Sequence, residues 1–399
     1  MGAPPVESAP VLQSPRALVS SRLKSIDLLR GCAALFVVVH HAFEHDFDFS
    51  STPLWYRFLR AFAAQGYLGV PLFFVISGFC IHLQYARSLV SGQKPSVGFV
   101  SFWKRRLHRL YPPYFAALCA SMLIVVAAYL AGIHSGLLDL YPLPRGRWMV
   151  FDFLAHVTML HGLIPSLDQM GGNAAFWTLA REEYLYLLYF FVLAWRKRWG
   201  LQVAMALVLF SGFAFHFAFL PFVPRSSRWW YIIDTSAIVL WIQWCLGMVA
   251  VEAYYGIIKL PWWLSQLWIA ALVAPLAKLS ETYRHELSPA LWALTFFMVV
   301  NYCVRKESTG RLPASGVFAW LAAVGVFSYS LYLIHGPLQQ VMYGVLTRSH
   351  VTVTLGVSVL FALLTIVASY YGARVFFYLV ERRFLNPRTR VAVAASRTV

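Results

Sequence analysis

Charge is what this sequence has least of. Asp, Glu, Lys and Arg make up 12% of its 399 residues, about half the share found in soluble domains. A chain with so few charged side chains cannot cover a large globule with solvated surface, so a soluble enzyme or scaffold is excluded. Acidic residues are scarcest, 16 against 33 Lys and Arg, for a formal charge of +17. The basic residues are nevertheless scattered through short loops, with no long basic tract or nucleic-acid motif, so no nucleic-acid partner is expected. Cysteine is also sparse. Cys32, Cys80, Cys119, Cys245 and Cys303 each lie in an apolar stretch without C-x-x-C or metal-ligand spacing, which excludes a disulfide framework and leaves no metal expected. G-x-S-x-G, H-E-x-x-H, Walker A and G-x-G-x-x-G are missing too. The first twenty residues lack the apolar core of a cleavable signal, and Val6 stands where a myristoylation motif needs Ser or Thr. The first apolar run is therefore expected to act as an uncleaved anchor.

What is present in quantity is apolar surface: 60% of residues are hydrophobic and 17% aromatic. A spanning helix needs roughly 20 mostly apolar residues. Such runs occur at approximately 26–43, 65–85, 111–133, 176–195, 201–220, 234–254, 262–278, 288–304, 317–346 and 352–379. The fold class expected is all-α, a polytopic membrane bundle of about ten transmembrane helices. An eleventh stretch, 148–164, is short and carries Asp152, His156 and His161. Lys and Arg in short loops are retained in the cytoplasm. Ten spans with the N-terminus inside put 21 of the 33 basic residues on that side, whereas an eleventh span would export the "RKR" at 196–198. Residues 148–164 are accordingly expected to be interfacial or re-entrant. The domain reading is a cytoplasmic N-terminal segment (1–25), one membrane domain (26–380) and a basic cytoplasmic tail (381–399). An integral protein of a bacterial inner membrane with both termini cytoplasmic is the expected setting, with membrane lipid as its surroundings.

Ionisable groups inside spans are costly and mark functional sites by default. The stretch "LLRGCAALFVVVHHAFEH" (28–45) begins with one and ends with several. Arg30 and His41 are eleven positions apart, which at 100° per residue is three turns plus about 20°, so they share a face roughly 16 Å apart along the axis. His40 points some 80° away, and the register selects His41. In "FWKRRLHRLYPPYF" (102–115), Lys104 and Arg105 precede Arg106 and Arg109, which stand three apart and present two guanidiniums to one face, a geometry suited to phosphate. A topology signal contacting lipid headgroups would have similar composition. The span "FWTLAREEYLYLLYFFVLAW" (176–195) buries Arg181, Glu182 and Glu183, with Glu182, Tyr186 and Tyr189 along one stripe. A structural ion pair from Arg181 or Arg30 could use one of these carboxylates. "GVFSYSLYLIHGPL" (325–338) aligns Ser328, Tyr332 and His335, and Gly336–Pro337 predicts a local helix break. In "GVPLFFVISGFCI" (69–81), small residues predict close helix packing rather than catalysis by Ser77.

These segments, in this order, resemble the acyltransferase-3 family of integral membrane acyltransferases, over nearly the whole chain. "RGCAALFVVVHH" is similar to the family's first-span motif, with Arg30 and His41 at its arginine and catalytic histidine. "RRLHRLYP" carries the R-x-x-R element at Arg106 and Arg109, "FWTLAREEYLYL" the carboxylate at Glu182, and "FSYSLYLIHGPL" the late histidine at His335. Arg181 departs from a usually apolar position. The resemblance implies O-acylation: an acyl group, most often acetyl, moves from cytoplasmic acetyl-CoA or another acyl-CoA to a hydroxyl of an extracytoplasmic or membrane-associated acceptor, a surface carbohydrate or a small natural product. It further implies His41 as general base or acyl carrier, Arg30 as its electrostatic partner, Arg106 and Arg109, with Lys104 and Arg105, as CoA ligands, and Glu182 and His335 as acceptor or proton-relay residues. A proton-coupled transporter would also bury His, Glu and Arg, and a non-catalytic scaffold would need neither the Arg30–His41 register nor the arginine cluster.

Overall fold

The computed structural model describes residues 22–44, 52–93, 97–132, 146–167, 172–349 and 351–385. The N-terminal residues 1–21 and residues 386–399 of the expected tail lie outside them. The chain runs through α1 (Lys24–Ala42), α2 (Leu54–Ala64), α3 (Gly69–Val90), α4 (Phe99–Leu130), α5 (Gly146–Val157), α6 (Phe176–Phe219), α7 (Arg228–Asp234), α8 (Ala237–Tyr254), α9 (Leu267–Tyr283), α10 (Ser288–Ser308), α11 (Gly316–Val326), α12 (Ser328–Arg348) and α13 (Leu355–Leu379). No strand occurs among the described residues. In a bilayer the backbone must satisfy its own hydrogen bonds, and helices do this within one segment. The architecture is an all-α polytopic membrane bundle.

Seven segments among the described residues are long and apolar enough to cross a membrane, and the pair α11–α12 makes an eighth, bent by 78°. The runs expected at 176–195 and 201–220 fall on two arms of α6, which meet at Gly200 (φ 85°, ψ 169°). Only glycine occupies that region without strain. The run at 262–278 falls on α9, whose 17 residues extend about 26 Å. Residues 146–157 form a 12-residue helix, about 18 Å long and short of the roughly 30 Å hydrocarbon core. It stops at Met159, whose φ of 59° is left-handed, and a 3₁₀ turn follows at Leu160–Leu163.

Glycines let α1 and α3 pack backbone to backbone with their neighbours. A Cβ on Gly31 would collide with the Leu321 carbonyl of α11, and one on Gly325 with the Asp27 carbonyl of α1. Gly78 meets the Trp244 carbonyl of α8 in the same way, and Gly247 meets that of Val75. At the start of α1, the Glu307 carboxylate at the end of α10 accepts from the backbone amides of Lys24 and Ser25 (2.8 Å each) and from Ser25 Oγ (2.6 Å). Arg22, Lys24, Lys104, Arg105, Arg106, Arg109 and Arg382 lie towards one end of the bundle, called here the basic end; His40 and His41 close the opposite, histidine end.

The sequence placed a helix break at Gly336–Pro337, but α12 continues through Pro337 and the chain bends instead at Phe327. Proline removes the hydrogen bond to the carbonyl four residues earlier, here that of Leu333. Asn173 supplies the missing donor, its Nδ2 lying 2.7 Å from Leu333 O. With that carbonyl satisfied, the helix has no need to open.

Candidate active site

At the histidine end, α1 and α12 bring His41 and His335 together, with ring centroids 5.3 Å apart. His335 is fully buried. Its Nδ1 lies 2.8 Å from Tyr332 O and 3.1 Å from Leu331 O. Carbonyls only accept, so the neutral ring carries its proton on Nδ1 and leaves Nε2 as the bare base. That Nε2 is buried without a hydrogen-bond partner. His41 Nδ1 donates to Glu44 Oε2 at 2.6 Å, which orients its Nε2 likewise as a base. His40 turns aside, as its register requires: its Nδ1 donates to Ala63 O at 3.3 Å, and its ring meets Tyr67 edge-on.

Three residues the sequence did not single out fix this pair. Asn173 holds the His335 turn through Leu333 O, and its Oδ1 accepts from the Ala175 amide at the start of α6 (3.1 Å). Gly336 leaves room for that contact, since a Cβ there would sit 2.7 Å from Asn173 Oδ1. Gln339, buried one turn further, donates to Val38 O of α1 at 3.1 Å. Glu44 lies just past the end of α1. His40, His41 and Glu44 also place three possible metal-ligand atoms within 4.8 Å of one another.

Inward from the histidines, a cavity of about 70 Å³ is lined by Arg30, Phe73, Ser77, Glu182, Ser328 and Tyr332, among others. Glu182 Oε1 accepts from Ser77 Oγ at 2.5 Å and from Tyr186 OH at 2.6 Å, and Trp244 Nε1 donates to Ser77 Oγ at 3.2 Å. Ser77 therefore does more than pack helices, because it anchors the cavity's carboxylate. Tyr332 OH pairs with Thr178 Oγ1 at 2.7 Å. Arg181 is not the partner of Glu182: its Nε donates to Thr235 O at 2.9 Å and its Nη1 to Gly162 O, tying α6 to two neighbouring segments. Tyr189 leaves the stripe as well, joining His82 (3.0 Å) and through it Glu252 (2.8 Å) in a separate buried network with Arg196.

Arg30 lines the cavity floor rather than pairing with His41. Three helical turns separate them, about 16 Å, and no side chain can bridge that distance. Its charged neighbours are Asp27, Glu182 and Glu381. Arg109 and Arg106 converge on the same region: Arg109 interacts electrostatically with Glu381, Arg30 and Arg106, and Arg106 lies over the Phe102 ring. Both are half-buried, whereas Lys104 and Arg105 are exposed. Glu381, which the sequence assigned to a tail, is buried in a 3₁₀ turn (Glu381–Phe384), where it accepts from Ser330 Oγ (2.5 Å) and Ser330 N (3.1 Å). Burial pushes its carboxyl above the usual carboxylate range, against the pull of Arg109, Ser330 and Arg30. The whole is a cavity whose wall runs from Arg30, an electrostatic neighbour of Arg109, to Tyr332, whose ring lies 5.6 Å from that of His335, an arrangement able to hold an anionic group near a pair of imidazoles.

A family model described as an acyltransferase domain, of the acyltransferase-3 type, matches residues 23–374. "Protein 2 in picA locus" of Rhizobium radiobacter is 30% identical over 186 residues, which are 45% of this chain and 83% of that protein. "Peptidoglycan O-acetyltransferase OatA" of Listeria monocytogenes serovar 1/2a is 27% identical over 330 residues, 79% of this chain and 49% of that protein. The chain thus spans about half the length of the Listeria relative. No solved structure matches.

Proposed function

The chain belongs to the acyltransferase-3 family and is an O-acyltransferase enzyme, and from that premise we propose that it moves an acetyl group from cytoplasmic acetyl-CoA to a hydroxyl of a surface carbohydrate presented at the histidine end. The observation that carries this reading is that one cavity wall holds both Arg30, an electrostatic neighbour of Arg109, and Tyr332, whose ring adjoins His335 of the His41–His335 pair.

In this mechanism Arg106 and Arg109 hold the CoA phosphates, with Arg30 facing the cavity between them and the reacting thioester. Glu381 keeps these cations from repelling one another before the donor binds. The thioester points towards the histidines. His41 Nε2 takes the proton of the acceptor hydroxyl as its oxygen attacks the thioester carbonyl, and Glu44 stabilises the imidazolium that forms. The tetrahedral adduct collapses with breakage of the carbon–sulfur bond, and the proton passes from His41 to the departing CoA thiolate. His335 Nε2, bare and in ring contact with His41, fits a proton-relay role. Peptidoglycan is one acceptor this reading accommodates, given the Listeria relative. Glu44 is exposed, and in this reading the acceptor reaches His41 from that side.

The test is to purify surface glycans from cells carrying the wild-type protein, His41→Ala, or neither, and to analyse them by mass. Acetyl esters present only with wild type support the reading. Identical glycans in all three, together with no consumption of acetyl-CoA by purified protein, would refute it.

A further inference from the structure

The proposed donor cavity does not run openly to the histidines. Phe73 of α3 and Tyr332 of α12 meet in its wall, ring centroids 5.8 Å apart in a T-shaped contact. Tyr332 is held there: its OH is bonded to Thr178, and its ring is 5.6 Å from that of His335, one turn above. Phe73 has no polar anchor and is only half-buried, because one side of its ring borders the cavity. Val70, Phe74, Ile76 and Leu179 supply the rest of the apolar lining. On the acyl-CoA reading, an acyl group entering this cavity meets the aromatic pair on its way towards His335 and His41.

We propose that the Phe73–Tyr332 pair is an acyl-chain gate, which limits the donor to a short acyl group, acetyl, and shields the thioester from water at the histidine end. The inference rests on the acyl-CoA reading above and adds to it the class of acyl group and the residues that select it. With a cavity of only about 70 Å³, the gate would admit an acetyl group, whereas the two further methylenes of a butyryl group would have to occupy the space of the Phe73 ring. Hydrophobic pockets discriminate in this way, by excluding volume, with each buried methylene worth about fourfold in binding once room exists.

Purified protein is assayed with acetyl-CoA and butyryl-CoA, with and without a glycan acceptor, for wild type, Phe73→Leu, Phe73→Ala and Tyr332→Phe. Size-exclusion profiles confirm that each variant is folded. Phe73→Ala is expected to reduce the acetyl-over-butyryl preference in kcat/KM by about tenfold, with Phe73→Leu between it and wild type. Phe73→Ala is also expected to raise acceptor-independent hydrolysis, in which water adds to the thioester carbonyl and free CoA thiol and acetate are released. Tyr332→Phe keeps the ring but removes its Thr178 hydrogen bond, and is expected to shift the preference less than Phe73→Ala. A wild type that consumes acetyl-CoA while both Phe73 variants retain its chain-length preference overturns the gate. If Phe73→Ala fails to fold, the intermediate shift in Phe73→Leu decides. A wild type inert towards every acyl-CoA overturns the donor reading, and the gate with it.

Discussion

At the scale of single residues, catalysis turns on which imidazole nitrogens are left without a backbone or carboxylate partner. His335 has its Nδ1 committed to backbone carbonyls and His41 has its own committed to Glu44, so both present Nε2 to the same space. A positioned base contributes about a hundred- to ten-thousandfold to rate. His41→Ala is accordingly expected to lose transfer by that factor with the protein still inserted, whereas His40→Ala retains measurable activity, as read by acetyl transfer from purified, folded protein. Equal residual rates for the two variants would contradict the face assignment. Glu44→Gln keeps a hydrogen-bond partner for Nδ1 but removes the charge, and should fall between wild type and His41→Ala. Arg30 and His41 were legible in the sequence because helical periodicity fixes their shared face. Glu44, Asn173 and Glu381 were not, because each acts from beyond the end of a spanning run, where no period applies and only the fold brings it to its partner.

At the scale of elements, apolar runs announced most helices, since a segment without charges has few other ways to satisfy its backbone in lipid. Two details escaped that logic. The bend at Phe327 has no proline to mark it, and Pro337, which does look like a break, is healed by Asn173 from a distant segment. Asn173→Leu would leave the Leu333 carbonyl buried without a donor, a cost of about 1–3 kcal/mol. Its melting temperature in detergent should therefore drop by several degrees, and transfer should fall because the turn bearing His335 loosens. An unchanged melting temperature would mean that the Pro337 turn needs no external donor. Gly78→Ala should be at least as damaging, because its Cβ would overlap the Trp244 carbonyl and α3 would have to move away from α8; overpacking of this kind typically costs 1–3 kcal/mol.

At the scale of the whole molecule, the bundle is polarised: the Arg106–Arg109 cluster and the His41–His335 pair lie towards opposite ends of α1. By the distribution of basic loops, the basic end is expected to face the cytoplasm. A membrane-impermeant thiol reagent added from outside is expected to label Asp168→Cys and to spare Lys94→Cys; external labelling at position 94 would reverse the orientation and the proposed route from donor to acceptor. The route itself is tested most directly by calorimetric titration of acetyl-CoA into wild type, Arg106→Lys and Arg109→Lys. Lysine keeps the charge, and hence the topology, but loses the planar fork that grips phosphate through two parallel bonds. Each charge-assisted contact is worth about 1.5–3 kcal/mol, or roughly ten- to a hundredfold in affinity. The account predicts saturable binding to wild type and affinity weakened by about that factor in each variant, with unliganded melting temperatures unchanged; undetectable binding to folded wild type, or equal affinity in all three proteins, would contradict it.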